Sequence, residues 1–104
     1  MADYKFVIIW RYQVKPGCEE KFEAAYGPVG DWARLFRQHP GYIRTDLMRD
    51  SAVVGQYITV DVWQSADDFN TFKELYLSEY EQLDRLMAKL TDSEKPQGYY
   101  LTEA

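Results

Sequence analysis

Polar side chains able to do acid–base chemistry lie on an otherwise apolar stretch, YITVDVW, at residues 57–63. In an extended strand, Asp61 and Trp63 are two positions apart and point to the same face, with Thr59 and Tyr57 behind them. A carboxylate on such a face can act as a general base where desolvation raises its pKa. The stretch therefore predicts a pocket carboxylate at Asp61.

Two alternatives remain open for the acid–base group. Asp61 is also explained as an ordinary strand residue, hydrogen-bonded or paired with Arg44 or Arg11. His39, which precedes Pro-Gly at a predicted helix end, is a second candidate base and equally fits a helix-terminal surface residue.

Aromatic residues at helical spacing would complete a binding pocket. If a cavity lies between the helices and the sheet, these rings would line it, although such residues are more often core. They are Trp32, Phe36, Phe72 and Tyr76.

Other catalytic and metal-binding signatures are absent from the sequence. There is no GxGxxG, GxxxxGK[ST], HExxH, CxxC or GxSxG motif. The single Cys18 and the single His39 support neither a metal site nor a Cys–His nucleophile pair. We therefore predict no metal.

Composition limits the class of protein. The 104 residues, 46% of them hydrophobic, suit one globular domain spanning residues 1–104. Net charge is −5, with ten acidic residues against four basic ones after residue 52. An acidic chain without a basic run disfavours nucleic acid and anionic membranes as partners. No secretory leader or membrane span is evident, so we expect a cytoplasmic protein.

Hydrophobic periodicity sets the order of elements. Strands alternate with period two, and the helices carry apolar residues three and four apart. A capping box at Ser65 opens the second helical region, which is long and should bend near Leu77. The predicted elements are a strand at 4–14, a helix from 18 to 36, strands at 42–49 and 56–63, a helix from 65 to about 90, a loop at 95–98 and a strand at 99–103.

The segment AAYGPVGDWA, residues 24–33, places Gly27, Pro28 and Gly30 inside the first helical region. The apolar stripe keeps its phase across them, which predicts one bent helix, or two nearly collinear halves, with Pro28 as the first residue of the second half. A plain turn between two short helices is the alternative.

The order βαββαβ with right-handed crossovers predicts an α+β, ferredoxin-like sandwich, in which two helices cover one face of a four-stranded antiparallel sheet. Both faces of the sheet carry apolar residues. Ile58, Val60 and Val62 would form the face opposite Asp61. A large apolar face needs a cover, and a homodimer packed sheet against sheet is the simplest one.

These segments together resemble the antibiotic biosynthesis monooxygenase (ABM) superfamily of dimeric α+β barrels. The resemblance covers nearly the whole chain, and its most specific parts are Trp63-Gln64-Ser65 followed by Phe69 and Phe72, and the HPGY that opens the second strand. It implies homodimers whose sheets face each other. Some members are cofactor-independent oxygenases of aromatic polyketides, others degrade haem, and many have no established activity.

The resemblance carries few functional residues over. Trp63 matches the pocket tryptophan of the family, whereas Trp10 stands where oxygenase members usually place an asparagine. No histidine lies between residues 64 and 104 to serve as a haem ligand. The family's chemistry thus suggests a monooxygenase without cofactor, acting on an aromatic or polyketide-like molecule, with Asp61 or His39 as base.

In that hypothesis Tyr57 or Arg44 would hold the oxyanion, and the aromatic residues named above would bind substrate. Two further hypotheses are a non-catalytic accessory dimer that holds a hydrophobic small molecule, and a purely structural dimerisation domain with a filled core.

Overall fold

The computed structural model describes residues 3–103 of the chain. Four strands and four α-helices follow one another, and a 3₁₀ turn at Ala88–Leu90 precedes the last strand. The elements are β1 (Tyr4–Val14), α1 (Glu19–Tyr26), α2 (Asp31–Phe36), β2 (Tyr42–Arg49), β3 (Gln56–Trp63), α3 (Ala66–Leu75), α4 (Leu77–Met87) and β4 (Thr91–Glu103).

The strands form one antiparallel sheet in the order β2-β3-β1-β4. This order and the helical connections confirm the predicted ferredoxin-like fold. The central strands pair Ile8 with Asp61 and Trp10 with Thr59. The side chains of these four residues therefore share one face, which is the face that the helices cover.

The connection between α1 and α2 is a turn, so the prediction of one bent helix is wrong. α2 begins at Asp31 rather than at Pro28. The amide of Gly30 donates a hydrogen bond to the carbonyl of Gly27 (3.0 Å). A Cβ on Gly30 would lie 2.4 Å from the carbonyl oxygen of Ala24, so this close approach requires glycine.

The apolar stripe is interrupted at the turn and resumes on α2. Trp32 and Phe36 on α2 are buried together with Phe22 on α1, whereas Val29 at the tip of the turn is exposed. Two short helices thus present one apolar surface to the sheet.

The second helical region begins and bends where the sequence predicts. The side chain of Ser65 caps α3 by accepting a hydrogen bond from the amide of Asp68 (3.1 Å). The helix breaks at Tyr76, next to the predicted bend, and α4 continues from Leu77.

The loop predicted at residues 95–98 is wrong, because these residues belong to β4. Ile9 pairs with Gly98 but Trp10 pairs with Pro96, which leaves one residue of β4 unpaired. A bulge of this kind lets a strand accommodate proline and glycine without ending.

The second face of the sheet is apolar in its centre, as the sequence indicates. The register aligns Val7 with Val62 and Ile9 with Val60, on the side opposite Asp61. Met48 is exposed at the β2 edge of this face. We call it the open face.

Candidate functional site

A cavity of about 250 Å³ lies between the helices and the sheet. β1, β2 and β3 form its floor, and α1, α2, α3, α4 and β4 contribute its walls. Half of the lining residues are aromatic, namely Trp10, Tyr12, Tyr26, Trp32, Phe36 and Tyr80. The other lining residues are Thr45, Thr59, Asp61, Lys73, Asp84 and Glu94.

Asp61 lies on the floor and is held by a chain of hydroxyl groups. β2 places Thr45 directly across from Asp61. The Thr45 hydroxyl donates to the Asp61 carboxylate (2.6 Å) and lies 2.8 Å from the buried Tyr42 hydroxyl. When Thr45 donates to Asp61, Tyr42 donates to Thr45, so the carboxylate is oriented by two residues from the neighbouring strand.

The environment of Asp61 changes its acidity. Burial raises the pKa of this carboxyl to about 6, and repulsion from Asp46 acts in the same direction. The hydrogen bond from Thr45 opposes both effects. A carboxylate that titrates near neutrality has the acidity that a general base needs.

Two polar atoms beside the cavity have no hydrogen-bond partner among the described residues. They are Nε1 of Trp32 and Oγ1 of Thr59, on side chains whose residues are 8% and 2% exposed. An unpaired buried donor is costly, on the order of 1–3 kcal/mol. The indole N–H can only donate, so it is ready to bind an acceptor atom of a ligand.

Three phenols complete the polar lining. Burial raises the pKa of Tyr12 and Tyr26 above the ordinary range, and it raises the pKa of Tyr80 to about 12. Thr59 lies near Tyr12 and Trp32 near Tyr26, close enough to moderate these pKa shifts, but neither pair has the geometry of a hydrogen bond. The phenol hydroxyls therefore stay protonated at neutral pH, and they can donate to a ligand without carrying charge.

His39, the second predicted base, lies outside this cavity. Its Nδ1 accepts a hydrogen bond from the amide of Gly41 (3.0 Å) at the end of α2. Its ring centroid is 6.3 Å from that of Trp63. One ring nitrogen is thus occupied by the local turn, and the ring is not part of the cavity lining.

The two predicted oxyanion donors also lie elsewhere. Tyr57 lies near the start of β3, away from Asp61, and its hydroxyl donates a hydrogen bond to the carboxylate of Glu23 on α1. Burial and the proximity of Glu23 raise the pKa of Tyr57 to about 12. Arg44 lies exposed on the other side of the sheet, where its Nε is 3.3 Å from the carboxylate of Asp46.

Trp63 forms the centre of a packed aromatic cluster rather than a wall of the cavity. Its ring is fully buried, 5.1 Å from Phe72 and 5.5 Å from Phe36 between centroids. Tyr76 stacks on Phe72 at 5.4 Å. Of the predicted pocket rings, Trp32 and Phe36 line the cavity, whereas Trp63, Phe72 and Tyr76 do not.

Sequence reasoning missed the outer part of the site. Thr59 lies two residues before Asp61 on β3, so the sequence predicts that both face the same side of the sheet. The sequence does not indicate that the Thr59 hydroxyl lacks a hydrogen-bond partner among the described residues. Lys73, Asp84 and Glu94 come from α3, α4 and β4. Only the packing of these elements brings them to one opening, and no spacing in the sequence signals it.

The described residues contain no group of three or more His, Cys, Asp or Glu side chains placed to hold a metal ion. None of the helices within residues 3–103 is long and apolar enough to cross a membrane.

Comparison with known proteins supports the resemblance drawn from the sequence. The family model for antibiotic biosynthesis monooxygenase matches residues 5–75. No significant match is found among curated proteins.

Solved structures share the fold across the whole chain. A point mutant of SnoaB, a cofactor-independent oxygenase from Streptomyces nogalater, is 23% identical with a TM-score of 0.70, covering 99% of this chain and 94% of that one. A candidate antibiotic biosynthesis monooxygenase from Bordetella bronchiseptica is 22% identical with a TM-score of 0.72, covering 96% of each chain. PA3566 from Pseudomonas aeruginosa is 14% identical with a TM-score of 0.65, covering 100% of this chain and 97% of its own.

Identities this low establish the shared fold and nothing about substrate. The family match is broader evidence, because it spans β1 to α3, including the strand that carries Asp61 and the capped helix after it. The chain belongs to the antibiotic biosynthesis monooxygenase family.

Proposed function

We propose that this protein is a cofactor-independent monooxygenase that oxidises an aromatic, polyketide-like small molecule in the cavity above Asp61. One observation carries the proposal. A carboxylate with a pKa of about 6 lies on the floor of an aromatic cavity that also contains an unpaired indole N–H.

The substrate supplies the electrons in this reaction. A ring methylene activated by a neighbouring carbonyl loses a proton to the Asp61 carboxylate, and the resulting carbanion places its charge on the carbonyl oxygen. Dioxygen then bonds to the carbon as a peroxide, which takes the proton back from Asp61. Loss of the second proton from that carbon forms the new C=O bond and expels hydroxide as the O–O bond breaks. The hydroxide takes this proton and leaves as water.

The chain needs three properties for this chemistry, namely a base, an oxyanion donor and a water-poor site. Asp61 serves as the base. The Trp32 N–H and the Thr59 hydroxyl take the oxyanion role that the sequence suggested for Tyr57 or Arg44. The aromatic walls exclude water and contact the flat faces of the substrate.

The size of the cavity limits the substrate. Its volume of about 250 Å³ is below the range of roughly 300–1,000 Å³ that is typical of ligand pockets. We therefore expect a compact aromatic molecule of one to three fused rings.

Oxygen uptake with anthrone tests the proposal. We expect consumption of dioxygen with formation of anthraquinone, and a loss of about a hundredfold or more in Asp61→Asn, which cannot take the proton. Asp92→Asn removes an exposed carboxylate of β4 away from the cavity and should keep the activity. Uptake at background with anthrone and a panel of quinols would contradict an oxygenase, and saturable binding without uptake would favour the accessory binding role.

We also propose that a second copy of the chain covers the open face. Its centre, at Ile9 and Val60, is half-buried and apolar in the single chain. Arg44 and Asp46 adjoin each other at the β2 edge, and two such edges related by two-fold symmetry would offer opposite charges to each other.

Sedimentation velocity tests this assembly. The wild-type chain should sediment as a dimer, and Val60→Lys should convert it to a folded monomer. Leu75→Lys places the same charge on an exposed leucine of α3 and should leave the dimer intact. A monomeric wild-type chain at micromolar concentration would contradict the proposal.

A further inference from the structure

The opening of the cavity carries an excess of negative charge. Asp84 on α4 and Glu94 on β4 are exposed at the rim, above Asp61 on the floor. None of these three carboxylates forms an ion pair within residues 3–103. Burial and repulsion from Asp84 raise the pKa of Glu94, so the two rim carboxylates influence each other.

Among residues 3–103, Lys73 is the one cation in the lining, and it does not neutralise these carboxylates. Its Nζ lies 4.8 Å from the ring centroid of Tyr80 and 5.9 Å from that of Phe69. The ammonium thus rests on aromatic faces instead of pairing with Asp84 or Glu94. The faces of Tyr80 and Phe69 thus hold an ammonium group of the chain itself, and the two rim carboxylates stay without an ion pair among residues 3–103.

Independent evidence for a ligand comes from the depth of the cavity. The Trp32 N–H and the Thr59 hydroxyl are more than nine-tenths buried and have no partner among the described residues. A ligand oxygen that accepts a hydrogen bond from the Trp32 N–H would remove the cost of leaving this donor unpaired. The ligand we infer therefore carries an oxygen acceptor at its inner end.

We propose that the ligand of this cavity is an aromatic amine, with a protonated amino group between Asp84 and Glu94 and an oxygen acceptor against Trp32. The inference rests on the proposed function only in taking this ligand to be the substrate. The rim carboxylates, which form no ion pair within residues 3–103, attract an organic cation, and the phenol and indole rings of the lining can stabilise it. A ligand with a carboxylate at the same end is repelled.

Three phenols of similar size test the charge preference. They are tyramine, 4-ethylphenol and 3-(4-hydroxyphenyl)propanoate, which end in an ammonium, a methyl group and a carboxylate. Binding is followed by the fluorescence of Trp10 and Trp32 in the cavity wall. At low salt we expect tyramine to bind about fivefold more tightly than 4-ethylphenol, and the propanoate to bind most weakly.

Charge-removal variants locate the preference. Asp84→Asn combined with Glu94→Gln should abolish the difference between tyramine and 4-ethylphenol while both still bind. Glu81→Gln combined with Asp92→Asn also removes one glutamate and one aspartate charge, from exposed positions of α4 and β4 outside the cavity. This control should keep the preference.

Equal binding of the three phenols by the wild-type chain would overturn the proposal, as would an unchanged preference in the rim variant or no binding at all. Oxygen uptake is measured separately. A preserved cation preference without any oxygen uptake would contradict the oxygenase and support the amine site. Oxygen uptake with anthrone but without a cation preference would support the oxygenase and contradict the amine site.

Discussion

Asp61 and Trp63 are two residues apart on the same face of β3, yet they lie in opposite environments. The Trp63 ring is fully buried in the aromatic cluster, 5.3 Å from Phe69 and 5.1 Å from Phe72 between centroids. Asp61 faces a cavity of about 250 Å³. Phe36 contacts the cluster and also lines the cavity, so it marks the boundary between the two.

The break between the last two helices accounts for this difference. Phe69 and Phe72 of α3 pack against the Trp63 ring and fill the space around it. The helix breaks at Tyr76, and α4 contributes Tyr80 to the lining of the cavity. The space between the helices and the sheet is thus filled around Trp63 and open above Asp61.

The largest effect should come from the packed end. Trp63→Ala removes a fully buried ring and should lower the free energy of unfolding by about 3 kcal/mol or more. Trp10→Ala, which truncates a half-buried ring at the cavity, should cost less than half as much. Urea unfolding of both variants measures the contrast, and equal losses would show that the two ends are packed alike.

A smaller effect of opposite sign should come from the cavity floor. The pKa of Asp61 rises from 3.8 to about 6 on folding. The folded state therefore binds this proton more tightly, and stability falls as pH rises from about 4 to about 6. Asp61→Asn keeps an acceptor for Thr45 without the charge, so it should stabilise the chain by about 2 kcal/mol at pH 7 to 8.

That gain should vanish below about pH 4, where Asp61 is protonated in both states. Asp92→Asn, at an exposed site, should show no such pH dependence. If Asp61→Asn is no more stable than wild type at pH 8, the carboxylate is not desolvated as described.

The smallest effect on stability should come from the indole N–H groups. Trp32→Phe keeps a ring while removing an N–H that has no partner among the described residues, so unfolding should change by less than about 1 kcal/mol. Oxygen uptake with anthrone should nevertheless fall about a hundredfold, because an oxyanion donor is lost.

Trp63→Phe is the matched control for this variant. The Trp63 N–H is also buried without a partner in the described part of the chain, but it lies in the packed cluster, where no ligand acceptor can approach. Its removal should leave uptake unchanged. Equal losses of uptake in Trp32→Phe and Trp63→Phe would mean that neither N–H acts on the substrate directly.

The sheet could be predicted from the sequence because its signals are local. Alternation with period two sets β1, β2 and β3 at the bounds that the structure shows, and the Ser65 cap marks the start of α3. The two errors fall where packing overrides local preference. Gly30 forms a tight turn against α1, and residues 95–98 stay in β4 through a bulge.

The site was less predictable than the fold. Asp61, Trp32 and Phe36 meet at the cavity because strand parity and helical spacing point them inward. Spacing cannot tell a ring that fills the core, such as Trp63, from one that borders a cavity, such as Trp32. Packing also determines the contacts of two other predicted site residues, which spacing does not predict. The His39 ring accepts a hydrogen bond from the local turn, and Arg44 pairs with Asp46 on the open face.

The pH dependence of oxygen uptake by the wild-type chain, with anthrone as substrate, tests the central role of Asp61 most directly. The rate at low substrate concentration should rise as the carboxyl loses its proton, with a midpoint near pH 6, and level off above it. The same profile in Asp61→Asn should be flat and low. A wild-type rate that is independent of pH between about 4.5 and about 7.5, or that Asp61→Asn retains in full, would contradict Asp61 as the base.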